Sequence, residues 1–166
     1  MVARRSPAVT TALRALTRLA STPAVCLAVA GTAIGLRAYR GAERPAMPAL
    51  PILLIGIGLR RASLAASRRQ RPAAGDWLYP ATGYSFPSGH STNAAMAAVL
   101  LSTAARDAEL PVWPVVAAAG GCYAIGVGGS RVYLGVHWPS DVLAGWALGL
   151  GWTCTARRYF LRRRRK

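Results

Sequence analysis

The chain has 166 residues, of which 53% are apolar, and 21 basic against 5 acidic side chains. That is one domain at most, and too apolar for a soluble domain of this size. A net charge of +16 admits a nucleic acid, an anionic lipid surface or an anionic substrate as partner. The basic residues lie along no single amphipathic helix and form no nucleic-acid motif, so nucleic acid is set aside in favour of a membrane protein with basic ends and a phosphate site.

In chain order, residues 1–20 carry Arg4, Arg5, Arg14 and Arg18 among Ala, Thr and Leu, with Leu13, Leu16 and Leu19 at helical spacing. They read as a basic N-terminal arm, either an amphipathic segment lying on the bilayer or a disordered one. A signal peptide is disfavoured because the apolar run that follows ends in Arg37 without a persuasive cleavage site. Five apolar segments follow, at 21–37, 46–66, 90–106, 111–128 and 141–156, rich in Ala and Gly as close helix packing in lipid requires. The expected fold is all-α: an integral membrane bundle of about five transmembrane helices, residues 21–156, between the arm and a basic tail at 157–166. A basic loop at 37–45, an irregular stretch at 67–87, a polar turn at 106–111 and a loop from Gly128-Gly129 to Asp141 connect the segments. Asp141 fits the start of the last helix. Cys26, Cys122 and Cys154 lack metal-ligand spacing and read as small buried hydrophobes. No internal repeat is present.

Alternating crossings place the end of the second segment, the start of the third and the end of the fourth on one membrane face. The chain's two histidines fall there, in Pro87-Ser88-Gly89-His90 and in Ser130-Arg131, His137, Asp141. Phosphoryl transfer needs charge neutralisation, an in-line nucleophile and a proton for the leaving group. Arg71 and Arg131 suit the first task through their bidentate forks. The Ser88-Gly89 turn and the helix start behind it add backbone donors. Asp141, four residues from His137, shares a face with it if the helix starts near His137; otherwise the Pro139 turn brings them together. A carboxylate on one imidazole nitrogen leaves the other free to attack, which makes His137 the nucleophile, Asp141 its orienter and His90 the acid. Tyr133 and Trp138 read as interfacial aromatics.

At these residues the chain resembles the type 2 phosphatidic acid phosphatase superfamily, marked by KxxxxxxRP, PSGH and SRxxxxxHxxxD. The resemblance spans about residues 46–156 and implies a helical bundle, a metal-independent reaction without cofactor and a phosphohistidine intermediate. It also implies that the last histidine attacks and that of PSGH protonates the leaving group, with Arg71, Arg131, Ser88, Gly89 and Ser130 at the phosphate. The first motif departs from the pattern: Arg71-Pro72 supplies its end, but Leu64 stands at the lysine position. Arg61 and Arg68, one turn to either side, and Arg69, where the family often adds a basic residue, are candidate substitutes; Arg60 is also close. The expected partner is a membrane lipid phosphate or polyprenyl (pyro)phosphate. A phosphatase for a soluble phosphomonoester and a non-catalytic lipid-phosphate-binding protein are the rival readings. Lys and Arg number ten on the site side and eleven on the other. Discounting arginines held by the chemistry turns this near-tie towards a cytoplasmic C-terminus and an outward site.

Overall fold

The structure, a computed structural model, describes residues 5–40 and 48–163. Among them are six α-helices and no strand: α1 Pro7–Arg18, α2 Thr22–Arg40, α3 Ala49–Ser67, α4 Gly89–Asp107, α5 Trp113–Tyr133 and α6 Pro139–Arg163, with one short 3-10 turn at Ala74–Asp76. Proline punctuates nearly every start. Pro7, Pro23, Pro51, Pro114 and Pro139 sit in first turns, where the missing N–H is no loss. Helix α4 is the exception: Pro87 precedes it, and Ser88, extended at φ −64° and ψ 117°, is its N-cap.

Helix α4 is the central element, packed against α2, α3, α5 and α6. Its first turns are small and polar, and Ser91, Thr92, Asn93, Ala94, Ala95 and Met96 are all buried. Val25 and Val29 of α2, Ile52, Leu53 and Ile57 of α3, and Met96 and Leu100 of α4 form the larger apolar cluster. Large apolar side chains on the outside, such as Leu27, Ile34, Val115 and Ile125, are mostly exposed. That is the pattern of helices surrounded by lipid, where close van der Waals packing rather than exclusion of water holds the bundle. The α4–α6 approach shows it: a Cβ on Gly145 would stand 2.7 Å from the Ser88 carbonyl oxygen.

The bundle expected from the apolar segments is present, and its helices make this a multi-pass membrane protein. Helices α2, α3 and α5 are each long and apolar enough to cross a bilayer. Helices α4 and α6 are of similar or greater length, 19 and 25 residues, but carry the polar groups of the site. Boundaries shift in two places. Gly128-Gly129 does not begin a loop, because α5 continues to Tyr133 and keeps Ser130 and Arg131 in its last turns. Helix α6 runs on to Arg163, into the residues expected as a basic tail. Cys122 and Cys154 are exposed rather than buried, whereas Cys26 is half-buried and packs against the larger apolar cluster. The arm is helical from Pro7 and packs against α5. Residues 1–4, 41–47 and 164–166, with parts of the arm, the basic loop and the tail, lie outside the described residues.

Candidate active site

The C-terminal end of α3, the N-termini of α4 and α6 and the C-terminal end of α5 meet at one end of the bundle. Between them lies a cavity of about 800 Å³ lined by Arg60, Arg61, Leu64, Arg71, Gly89, His90, Asn93, Arg131 and His137, and roofed by residues 80–84 of the long connection. Four guanidiniums and two imidazoles face it, and no carboxylate is among its lining residues. Such a cationic lining suits an anion.

His137 is buried in the turn between α5 and α6, and Asp141, fully buried, is the third residue of α6. The Pro139 turn, rather than a helix begun at His137, brings them together. Asp141 Oδ2 accepts the Trp138 backbone N–H at 2.9 Å and lies 3.3 Å from His137 Nδ1. On the other side of the ring, Arg71 Nη1 stands 3.1 Å from His137 Nε2. A guanidinium only donates, so Nε2 must carry the lone pair and Nδ1 the proton that it gives to Asp141. Among the geometrically possible forms, only the neutral Nδ1–H tautomer satisfies both neighbours. Burial lowers the His137 pKa from its ordinary 6.5 to about 4. The Asp141 hydrogen bond opposes that shift, while the charges of Arg71 and Arg131 add to it.

Arg71 is held in place from three directions. Its Nε donates to Gly83 O at 3.0 Å, its Nη2 to Thr82 O at 3.0 Å and its Nη1 to Val136 O at 2.8 Å. Arg131, 2% exposed, donates to Thr17 Oγ1 at 3.2 Å and lies 4.7 Å from the Tyr79 ring centre. Its Nε is buried without a hydrogen-bond partner. His90 lies in the first turn of α4, with the Tyr79 ring edge-on to it at 6.2 Å.

Other residues singled out by the sequence fall elsewhere. The Ser88 and Ser130 hydroxyls are turned into the packing: Ser88 Oγ accepts from Ser91, and Ser130 Oγ donates to Val127 O at 2.6 Å. Neither lines the cavity. The backbone of Ser88 ties the site instead, its N–H reaching Asp141 O at 3.0 Å across the α4–α6 contact. Of the three candidates for the lysine position, Arg61 lines the cavity. Arg68 ends α3 in the left-handed conformation, φ 45°, and bonds back to Ala65 O. Arg69 leaves the cavity to bind Ser140 Oγ at 2.7 Å and Asp141 Oδ1 at 2.9 Å, stacked over Trp138. Trp138, expected as an interfacial aromatic, also donates from Nε1 to Gln70 O at 3.1 Å.

Arg60 is the arginine that the motif reading left in the background. It lies one turn before Leu64 on the same helix, lines the cavity and donates from Nε to Pro87 O at 3.1 Å. Gly89 makes room for it, since a Cβ there would come within 3.0 Å of the guanidinium carbon. Its i, i+4 relation to Leu64 is the signal that marks it, as side chains four apart share a helix face. Thr17 and Tyr79 had no motif to announce them.

Comparison with known proteins finds relatives among membrane phosphatases. An undecaprenyl-diphosphatase of Sulfolobus acidocaldarius is 47% identical over 70 residues, 41% of this chain and 30% of that protein. Phosphatidylglycerophosphatase B of Bacillus subtilis is 44% identical over 73 residues, 42% of this chain and 36% of that protein. These matches thus span about a third of the curated relatives' length. Two solved structures align over nearly the whole chain. One is a transmembrane PAP2-type phosphatidylglycerolphosphate phosphatase from Bacillus subtilis, with TM-score 0.81 and 28% identity, covering 97% of this chain and 81% of that one. The other is Aquifex aeolicus LpxE, with TM-score 0.71 and 25% identity, covering 95% and 90%. The profile of the PAP2 superfamily matches residues 22–165, and with the two motif histidines facing one arginine-lined cavity inside the helical bundle, the chain belongs to that superfamily.

Proposed function

We propose that this protein is a membrane phosphatase that releases phosphate from a lipid phosphate or polyprenyl (pyro)phosphate through a phosphohistidine on His137. The observation that carries the reading is the His137 ring, with its Nδ1–H on Asp141 and its Nε2 lone pair turned to Arg71 at the edge of the arginine-lined cavity. A phosphate oxygen entering there takes the Arg71 N–H that faces Nε2 and the free N–H groups of Arg131, and Nε2 attacks phosphorus. As the N–P bond forms, the P–O bond to the leaving group breaks, and the leaving oxygen takes a proton from His90. Water then attacks phosphorus, giving its proton to His90, and the N–P electron pair returns to Nε2.

Leu64 leaves the cavity without the motif lysine, and Arg60 supplies a cation from the adjacent turn, with Arg61 beside it. The lipid tail stays among the helices while the head group reaches the helix ends. The reaction runs without metal, carried by guanidiniums; among the described residues no three His, Cys, Asp or Glu side chains cluster. Phosphate release that EDTA leaves intact agrees with this, whereas loss restored by a divalent cation contradicts it. The site faces outward with the C-terminus in the cytoplasm, supported by Arg157, Arg158, Arg162 and Arg163 at the far end of α6.

The deciding experiment is trapping. Rapid quenching of purified protein with radiolabelled phosphatidate should leave acid-labile, base-stable phosphate on wild-type protein and none on His137→Ala. A protein that releases phosphate without ever carrying it rejects the covalent route. One that binds lipid phosphate and releases nothing is the non-catalytic rival.

A further inference from the structure

We propose that the N-terminal helix α1 is a working part of the active site, with Thr17 as the positioning residue for Arg131; this rests on the phosphatase reading above. The family profile begins at residue 22, so α1 lies outside what that profile describes. Two of its side chains, Thr17 and Arg14, and Arg5 just before it nevertheless reach Arg131 or the segment beside it. Thr17, fully buried at the last turn of α1, accepts the Arg131 Nη1 hydrogen bond at 3.2 Å. Arg14 donates from Nε to Leu78 O at 2.6 Å, and Arg5 from Nη1 to Asp76 O at 2.8 Å.

Those two carbonyls belong to the segment that carries Tyr79. The Tyr79 ring lies under the Arg131 guanidinium and meets His90 edge-on. Thr17 and Tyr79 therefore seat Arg131 from two sides, and Arg5 and Arg14 pin the loop that holds the second of them. The need for a seat follows from burial. Arg131 is 2% exposed, and among the described residues its Nε has no partner and no carboxylate fixes its fork, so its aim depends on neutral contacts. One hydroxyl and one ring face hold the guanidinium while leaving N–H groups for an anion. Asn93 couples the helix end to α4, donating to Ala20 O at 3.1 Å.

The test compares Thr17→Val, which keeps the shape and removes the acceptor, with Thr17→Ser, which restores it. Steady-state phosphate release from phosphatidate in detergent micelles and inhibition by orthovanadate are the readouts. Thr17→Val should lower kcat on the order of tenfold, with KM within about twofold, and weaken vanadate inhibition similarly, as loss of one hydrogen bond to a charged group implies. Thr17→Ser should return both to within about twofold of wild type. Arg14→Gln, at an exposed contact that leaves the core packing untouched, gives a second reading, with kcat lowered about threefold. Wild-type kcat in Thr17→Val, or a Thr17→Ser variant as impaired as Thr17→Val, overturns the proposal. Should wild-type protein release no phosphate, the phosphatase reading falls. The seat is then read on vanadate binding alone, and unchanged affinity in Thr17→Val overturns it.

Discussion

Arg69 grips Oδ1 of Asp141 at 2.9 Å, and Oδ2 of the same carboxylate faces His137 Nδ1 at 3.3 Å. One buried acid thus joins the loop after α3 to the turn before α6, and its orientation is set from the side away from the cavity.

Replacing Asp141 by Asn keeps the shape but offers an amide that can present N–H to Nδ1 and invert the tautomer. It also removes the charge that favours a positive ring. Phosphate release should fall about 10²- to 10⁴-fold, the range of a positioned acid–base partner. Arg69→Ala should cost only a few-fold, because the Arg69 side chain is 40% exposed and solvent screens its ion pair. Single-turnover rates check both; an Asn variant within twofold of wild type removes Asp141 from the chemistry.

The lowered pKa of His137 has a direct readout because the chain has two histidines. In a His90→Asn variant labelled with ¹⁵N-histidine, the remaining imidazole should titrate with a midpoint at about 4 and show the proton on Nδ1 above it. The sign for stability follows: the unfolded ring takes its proton near 6.5 and the folded one near 4. The contribution of neutral His137 is therefore complete above 6.5 and lost as pH falls towards 4. A midpoint near 6.5, or a proton on Nε2, contradicts the assignment.

If Arg60 takes the place of the missing lysine, Arg60→Ala should lower kcat/KM about 10²-fold, as loss of one preorganised donor does. Adding Leu64→Lys to that variant should recover part of the loss, since the new ammonium rises from the same helix face. No recovery would confine Arg60 to holding the Pro87 carbonyl.

Gly145→Leu tests the α4–α6 approach. Its side chain would be driven into the Ser88 carbonyl and the Ser91 side chain, with an overpacking cost of about 1–3 kcal/mol. Thermal unfolding in detergent should shift down, and activity should fall with it as the two motifs separate. Unchanged unfolding would show that α4 and α6 do not depend on this close approach.

The sequence by itself determined the bundle and the face. Apolar segments of spanning length must be helices in lipid, because no other local structure satisfies their backbone groups. Their alternation put PSGH and the His137 stretch at one end. Proline and small residues were legible as well, since they act locally. The direction in which each arginine points was not legible. Arg60, Arg61, Arg68 and Arg69 are neighbours in sequence, yet the left-handed turn at Arg68 sends Arg69 behind Asp141, while helix rotation brings Arg60 to Gly89. Thr17 and Tyr79 reach Arg131 from far along the chain with no pattern to mark them. Only the tertiary structure decided these contacts, because helix rotation and packing depth depend on every neighbour at once, whereas motif spacing records no more than order along one strand of chain.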